Sequence, residues 1–266
     1  YLRLMHTREE KLAAFGRLLD IMDELREKCP WDQKQTFESL RHLTIEETYE
    51  LADAILDADV QEIKKETGDV LLHMVFYAKL GSEIPEEDGG WDIADSLHSI
   101  CDKLVHRHPH IYADVEANDE ETVKANWEKL KLKEGNQSVL EGVPKSLPSL
   151  VKAYRIQDKV KGVGFDWDNA EQVLDKVNEE LGELAYEVEM KSDRIADEFG
   201  DVLFSLINYS RFLDVNPDEA LERTNRRFIN RFKHLEASIK ADGNDLADMP
   251  LKEMEAYWTR AKIALG

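Results

Sequence analysis

Apolar residues recur three and four positions apart along most of the chain. Val173, Val177, Leu181, Leu184 and Val188 form one such stripe, and Phe199, Val202, Leu203 and Leu206 form another. This spacing follows the helical turn and predicts amphipathic helices. No segment alternates convincingly with period two, and no Asn-Gly or Asp-Gly pair lies between β-rich runs. Asp242-Gly243 is flanked by helix-like sequence instead. Pro30, Pro85, Pro109, Pro144, Pro148, Pro217 and Pro250 all fall between periodic segments, where a missing N–H does no harm. The predicted fold class is all-α.

The helical pattern is also written twice. Cys29-Pro30-Trp31-Asp32 is echoed by Phe165-Asp166-Trp167-Asp168, and Glu46-Glu47-x-x-Glu50 by Glu179-Glu180-x-x-Glu183. Glu66-Thr67-Gly68-Asp69-Val70-Leu71 returns as Glu198-Phe199-Gly200-Asp201-Val202-Leu203. Lys103-Leu104-x-x-Arg107 matches Arg227-Phe228-x-x-Arg231, and Trp127-x-x-x-Lys131 matches Trp258-x-x-x-Lys262. Matches in the same order over both halves predict two tandem, related helical-bundle modules. The expected boundaries are an N-terminal module over 1–134, a Gly-, Pro- and polar-rich linker over 135–148, and a C-terminal module over 149–266.

On a helix, residues three or four apart share a face. Glu180, Glu183 and Glu187 therefore line up beside the first apolar stripe, and Glu198 and Asp201 beside the second. Packing the two stripes together is expected to bring both acidic lines to the edge of one cleft, with Gly200 letting the backbones approach. Crowded carboxylates repel one another unless a cation compensates, and an oxygen-only set selects a hard divalent ion. An ExxE motif in an acidic helical protein is most often a solvated face. Its recurrence with the whole pattern points instead to a metal site made by Glu180, Glu183, Glu198 and Asp201, with a second, weaker set at Glu47, Glu50, Glu66 and Asp69. A di-iron site wants a Glu-x-x-His on each of two helices, and no such pair accompanies these acids. His73 lies one turn after Asp69, but its counterpart is Ser205. His106, His108 and His110 alternate around Pro109 in an expected helix-ending loop, a poor arrangement for zinc.

Composition narrows the ligand. With 56 acidic and 35 basic residues the formal charge is −21, which repels nucleic-acid backbones and argues against a nucleic-acid partner. A small polyanion is repelled too, unless a metal and a few placed cations reverse the field locally. No apolar run reaches the roughly 20 residues of a membrane span. Cys29 and Cys101 belong to no CxxC pair, and no signal-peptide pattern follows Tyr1, so free thiols in a reducing cytoplasm are expected.

The repeat allows a comparison within the chain. Lys176, one turn before Glu180, stands where the first module has Leu43. Arg194, one turn before Glu198, stands where it has Glu62, and Asn225 where it has Cys101. Cations and an amide therefore surround the acids of the second module only, which marks it as the working one. The simpler reading of Lys176 and Arg194 is helix ion pairing with the glutamates. Arg227 and Arg231 are four apart and face one direction, but both modules keep a basic pair there. Trp258 fits either a stacking or a core role.

Taken together, CPWD at 29–32, EETYE at 46–50, RHPH at 107–110, GFDW at 164–167 and EFGDVLF at 198–204 resemble the MazG family over almost the whole chain. The resemblance implies a homodimer of two-module subunits, most active in the second module. Its implied reaction takes NTPs and dNTPs to monophosphate and pyrophosphate by metal-assisted hydrolysis of the α–β phosphoanhydride. Mg2+ is the implied ion, with Mn2+ as a substitute. Glu180, Glu183, Glu198 and Asp201 are the implied ligands, Glu180 and Asp201 also facing the nucleotide. Lys176, Arg194, Asn225, Arg227, Arg231 and Trp258 are the expected nucleotide contacts. Arg227 stands where the family pattern has lysine, which keeps the charge and changes the donor geometry. Arg227 and Arg231 would neutralise the leaving pyrophosphate, and Glu179 is the candidate base. Rival readings are a non-catalytic nucleotide-sensing or scaffold dimer and a narrower, dUTP-directed pyrophosphatase.

Overall fold

A computed structural model describes residues 5–113, 123 and 138–266. The described residues contain helices, turns and loops and no strand, as the periodicity predicts. The chain divides into two compact units, Tyr1–Glu116 and Ala117–Gly266. The predicted boundary at 134/135 and the Trp127-x-x-x-Lys131 match lie outside the described residues.

The first unit comprises α1 (Arg8–Lys28), α2 (Phe37–Leu56), α3 (Val60–Ser82), α4 (Ile93–Arg107) and the single turn α5 (Pro109–Tyr112). Local chemistry sets where these helices start. Thr7 and Glu10 form a capping box at α1, Thr36 and Ser39 one at α2, and Asp59 accepts from the amides of Gln61 and Glu62 at α3. Helices α2 and α3 form an antiparallel hairpin with α1 packed on α3. Met22, Leu40, Val75, Phe76 and Leu80 make its buried core, with Leu43 and Tyr77 against it.

The second unit repeats the scheme with α6 (Ser149–Lys161), α7 (Ala170–Met190) and α8 (Ile195–Phe212), then adds a second hairpin, α9 (Pro217–Ala241) with α10 (Leu251–Leu265). Asn169 caps α7. Asn216 caps α9, with Pro217 in the first turn, where its fixed φ suits a helix start. Asp242 ends α9, and Gly243 follows at φ +77°, a left-handed conformation that favours glycine. Residues 138–148 of the predicted linker are turns held onto α6. There Lys159 donates to the carbonyls of Val139 (2.9 Å) and Glu141 (3.3 Å), and Lys152 to that of Lys145 (2.7 Å). The core of this unit lies in its second hairpin, where Leu235, Ile239, Met249 and Tyr257 are buried together. Both cysteines are free thiols, and no helix among the described residues is long and apolar enough to cross a membrane.

Two packing expectations are corrected. The α7 and α8 stripes do not seal against each other along their length. Val173, Val177 and Val202 are buried, whereas Leu181, Val188, Phe199, Leu203 and Leu206 are exposed. The hairpin instead turns acids inward, so that Glu180 and Glu198 are buried. Gly200 does not serve a close backbone approach either, because a Cβ there would meet nothing within 4 Å.

Candidate active site

The acidic residues of α7 and α8 converge because the hairpin sets the Glu180–Glu183 line opposite Glu198. One carboxylate oxygen from each of Glu180, Glu183 and Glu198 can lie within 4.8 Å of the others. In the first unit the equivalent hairpin brings together Glu47, Glu66 and Asp69 within the same limit. Each module thus gathers three of its four predicted ligands. Glu50 and Asp201 are the ones left out, and Asp201 lines a neighbouring cavity with Lys176 and Glu180. Among the described residues these two are the groups that could hold a metal, and the histidines at 106, 108 and 110 form no such group. Helix α4 ends just before His108, and α5 starts at Pro109, as the loop expectation requires.

Electrostatics separates the two sets. In the second unit Lys176 bonds Glu180 (2.8 Å) and Glu179 (2.7 Å). Arg194 pairs with Glu198 and lies 3.7 Å from Glu187. Burial holds the Glu198 carboxyl above its usual pKa. The Arg194 guanidinium opposes that shift, and Glu183, Asp201 and Glu187 add to it by repulsion. The Lys176 ammonium is held well above its ordinary pKa by hydrogen bonds to Glu179 and Glu180. In the first unit Glu47 is also pushed up by burial, then by Asp69, Glu50, Glu66 and Glu46, with no cation opposing. Lys65 bonds Glu66 (2.7 Å) from the outside, and Glu66 Oε2 is buried with no hydrogen-bond partner among the described residues.

These features test the fit of a metal ion. The donor set is all oxygen, Glu180 and Glu198 are buried while Glu183 faces solvent, and Lys176 and Arg194 compensate only part of the charge. A hard divalent cation fits that arrangement.

The remaining predicted residues lie on the second hairpin. Arg227 bonds Thr224 (3.2 Å), Asn225 bonds Glu222 (3.3 Å), and Arg231 donates to the carbonyl of Gly266 (2.6 Å). Trp258 packs on Phe228 at 5.0 Å between ring centroids. None of them lines the cavities beside the carboxylates. Glu179 does border the acidic cleft, engaged with Lys176.

A cavity of about 510 Å³, which helical spacing does not announce, lies between α6, α7, α8 and the loop 164–167. Gln157, Phe165, Asn208 and Arg211 line it together with Lys176, Glu180 and Asp201. The signal was present in the repeat at Lys176 and Asn208, which stand where the first module has Leu43 and Phe76.

Comparison with known proteins adds the relatives. The chain matches the family model described as the MazG nucleotide pyrophosphohydrolase domain over residues 35–112 and 168–236, once in each module. It is 39% identical over 256 residues to the nucleoside triphosphate pyrophosphohydrolase of Escherichia coli K12, covering 92% of this chain and 96% of that protein. It is 41% identical over 254 residues to the nucleoside triphosphate pyrophosphohydrolase/pyrophosphatase MazG of Thermotoga maritima, covering 93% and 95%.

Proposed function

The chain belongs to the MazG nucleotide pyrophosphohydrolase domain family, and from that membership we propose that its second module hydrolyses nucleoside triphosphates. The reaction we assign is cleavage of NTPs and dNTPs at the α–β phosphoanhydride, giving monophosphate and pyrophosphate. The observation that carries the reading is the oxygen-only cluster of buried Glu180 and Glu198 with exposed Glu183, flanked by Lys176 and Arg194.

Glu180, Glu183 and Glu198, joined by Asp201 once substrate draws it in, would hold Mg2+, with Mn2+ as a substitute. The ion supplies polarisation of phosphate oxygens and neutralisation of their charge. Lys176 and Arg194 already face the acids and can exchange a carboxylate oxygen for a phosphate oxygen without leaving their helices. Glu179, freed from Lys176 by that exchange, becomes an exposed carboxylate able to take a proton from an attacking water. The first module's Glu47, Glu50, Glu66 and Asp69 have Lys65 on Glu66 but Leu43 and Glu62 where the second module has Lys176 and Arg194, so we assign them metal binding without turnover.

Arg227, Arg231, Asn225 and Trp258 reach the phosphates only if the second hairpin moves or another copy of the chain supplies them. We favour a homodimer. The outward faces of α7 and α8 carry Leu181, Val188, Phe199, Leu203 and Leu206 exposed, a surface that a second copy would cover. Mixing an Asp201→Ala chain with an Arg227→Ala/Arg231→Ala chain tests this. Recovery of activity places the arginines across the interface, and no recovery places them in the same chain as the acids.

Product analysis with a panel of NTPs and dNTPs plus Mg2+ tests the function itself. Monophosphate with pyrophosphate supports it, and a single accepted base narrows it to a dUTP-type enzyme. Binding without turnover replaces it with a sensor or scaffold.

A further inference from the structure

Two cations border the acidic cleft of the second unit, and each of them bridges a pair of acids. Lys176 meets Glu180, one of the clustered carboxylates, and also Glu179 outside the cluster. Arg194 holds Glu198 of the cluster through Nη2, while its Nη1 lies 3.7 Å from Glu187 outside it. The two outer acids differ in their surroundings. The Glu179 side chain is 56% exposed, whereas that of Glu187 is 13% exposed and lines the cleft together with Arg194. A carboxylate so far withdrawn from water is costly unless a cation faces it, and Arg194 is the cation set against it.

The first module carries neither member of this pair. In the register that aligns Glu47 with Glu180, buried Ala54 stands at Glu187. In the register that aligns Glu66 with Glu198, Glu62 stands at Arg194 and turns to Lys65 instead. The backbone between the two positions is otherwise alike. The Asp59 amide donates to the carbonyl of Ala54 at 3.1 Å, as the Ser192 amide donates to that of Glu187 at 3.1 Å. Ala58 and Lys191 take left-handed φ values of +53° and +52° at the same place in the turn. Ser192 then fixes the start of α8, its Oγ accepting from the Arg194 amide at 3.0 Å. One turn geometry thus presents both positions in either module, and only the second module fills them with an acid and a base.

We propose that Glu187 is a positioning residue that holds Arg194 at the mouth of the acidic cleft, leaving one edge of its guanidinium to bind a substrate phosphate. The proposal rests on the pyrophosphohydrolase reading, in which Arg194 gives up Glu198 for a phosphate oxygen. A guanidinium released from Glu198 with no other anchor would swing into solvent, since the Arg194 side chain is already 63% exposed. Glu187 supplies the second anchor. The planar fork keeps Nη1 on Glu187 and offers Nη2 to phosphate, so the exchange costs one hydrogen bond and no change of rotamer. A lysine, as a point charge, could not divide itself between two partners in this way.

The sign of the effect separates positioning from bystander charge. Removing an acid from beside a polyanion site should tighten triphosphate binding if that acid acts through its charge alone. The test uses the full chain with Mg2+ and the four NTPs as substrates, and follows inorganic tripolyphosphate binding by calorimetry. Glu187→Gln keeps the shape and removes the charge. It should raise KM for NTPs and the dissociation constant for tripolyphosphate about five- to tenfold, with a smaller change in kcat. In an Arg194→Ala chain the same substitution should no longer weaken binding, because the group it positions is gone. Melting curves identify folded variants, and if Glu187→Gln does not fold, Glu187→Ala, the first module's residue, decides alone. An active parent whose folded Glu187 variants bind equally well or more tightly overturns the positioning role and leaves the function standing. An equal loss with and without Arg194 does the same. A parent that neither cleaves NTPs nor binds tripolyphosphate overturns both.

Discussion

The three-helix halves α1–α2–α3 and α6–α7–α8 start from one pattern and end in different states. The first is filled where the second is open: Met22, Leu40, Val75, Phe76 and Leu80 form its core, with His73 buried beside the hairpin acids. The second buries Val173, Val177 and Val202 but keeps a cavity and places cations at its rim. Its apolar core lies instead in the α9–α10 hairpin. In the second unit the open space and the apolar core lie in different halves. A bundle that must admit a ligand gives up packing at that point, and the packing is recovered where no ligand goes.

That contrast can be broken experimentally, and the largest effect should come from the acids. Glu180→Ala or Asp201→Ala should lower pyrophosphate release on the order of a thousandfold, and Glu47→Ala or Asp69→Ala less than about twofold. Equal losses in both modules would dissolve the distinction. Giving the second module its sister's residues comes next. Lys176→Leu or Arg194→Glu should each lower kcat/KM about 10- to 100-fold, read in the same assay at fixed Mg2+. The converse exchange bears on stability: Phe76→Asn opens the solid core and should cost about 3–5 kcal/mol in denaturant unfolding of the first unit. A cost under about 1 kcal/mol would mean that core is not tightly packed. The smallest effect is linkage to the ion. Mg2+ at about 100 times its dissociation constant should stabilise the second unit by about 2.7 kcal/mol, an increment that Asp201→Ala abolishes in calorimetry.

Much of the fold was legible because its signals are local. Helix starts at Thr7, Thr36, Asp59, Asn169 and Asn216 follow from side chains two or three residues from the amides they cap. The prolines mark breaks because a missing N–H is a property of one residue. Glu180, Glu183 and Glu198 were legible as a group through helical spacing and repetition, and Lys176 and Arg194 through one-turn spacing. Other features were not. The stripe of Leu181, Val188, Phe199, Leu203 and Leu206 has the periodicity of a core, yet it faces outward. Periodicity reports that a helix has an apolar face, and says nothing of whether its own chain covers it. Arg227, Arg231 and Trp258 carried the expectation of one site with the acids, and within the chain they belong to another hairpin.

By itself, then, the sequence determined an all-α chain of two related modules, the acids at their centres and the asymmetry of charge around them. Each of these depends on residues within a few turns of one another or on the repeat. Tertiary structure alone decided that Glu180 and Glu198 are buried, that Asp201 lines the cavity, and that Gln157 from α6 and Asn208 from α8 line one space. Those relations depend on how separate helices rotate and pack, and the rotation is fixed by side-chain volumes summed over all their neighbours. Phe76 fills a core and Asn208 lines a cavity at equivalent positions, and only the packed bundle converts that difference into space for a ligand.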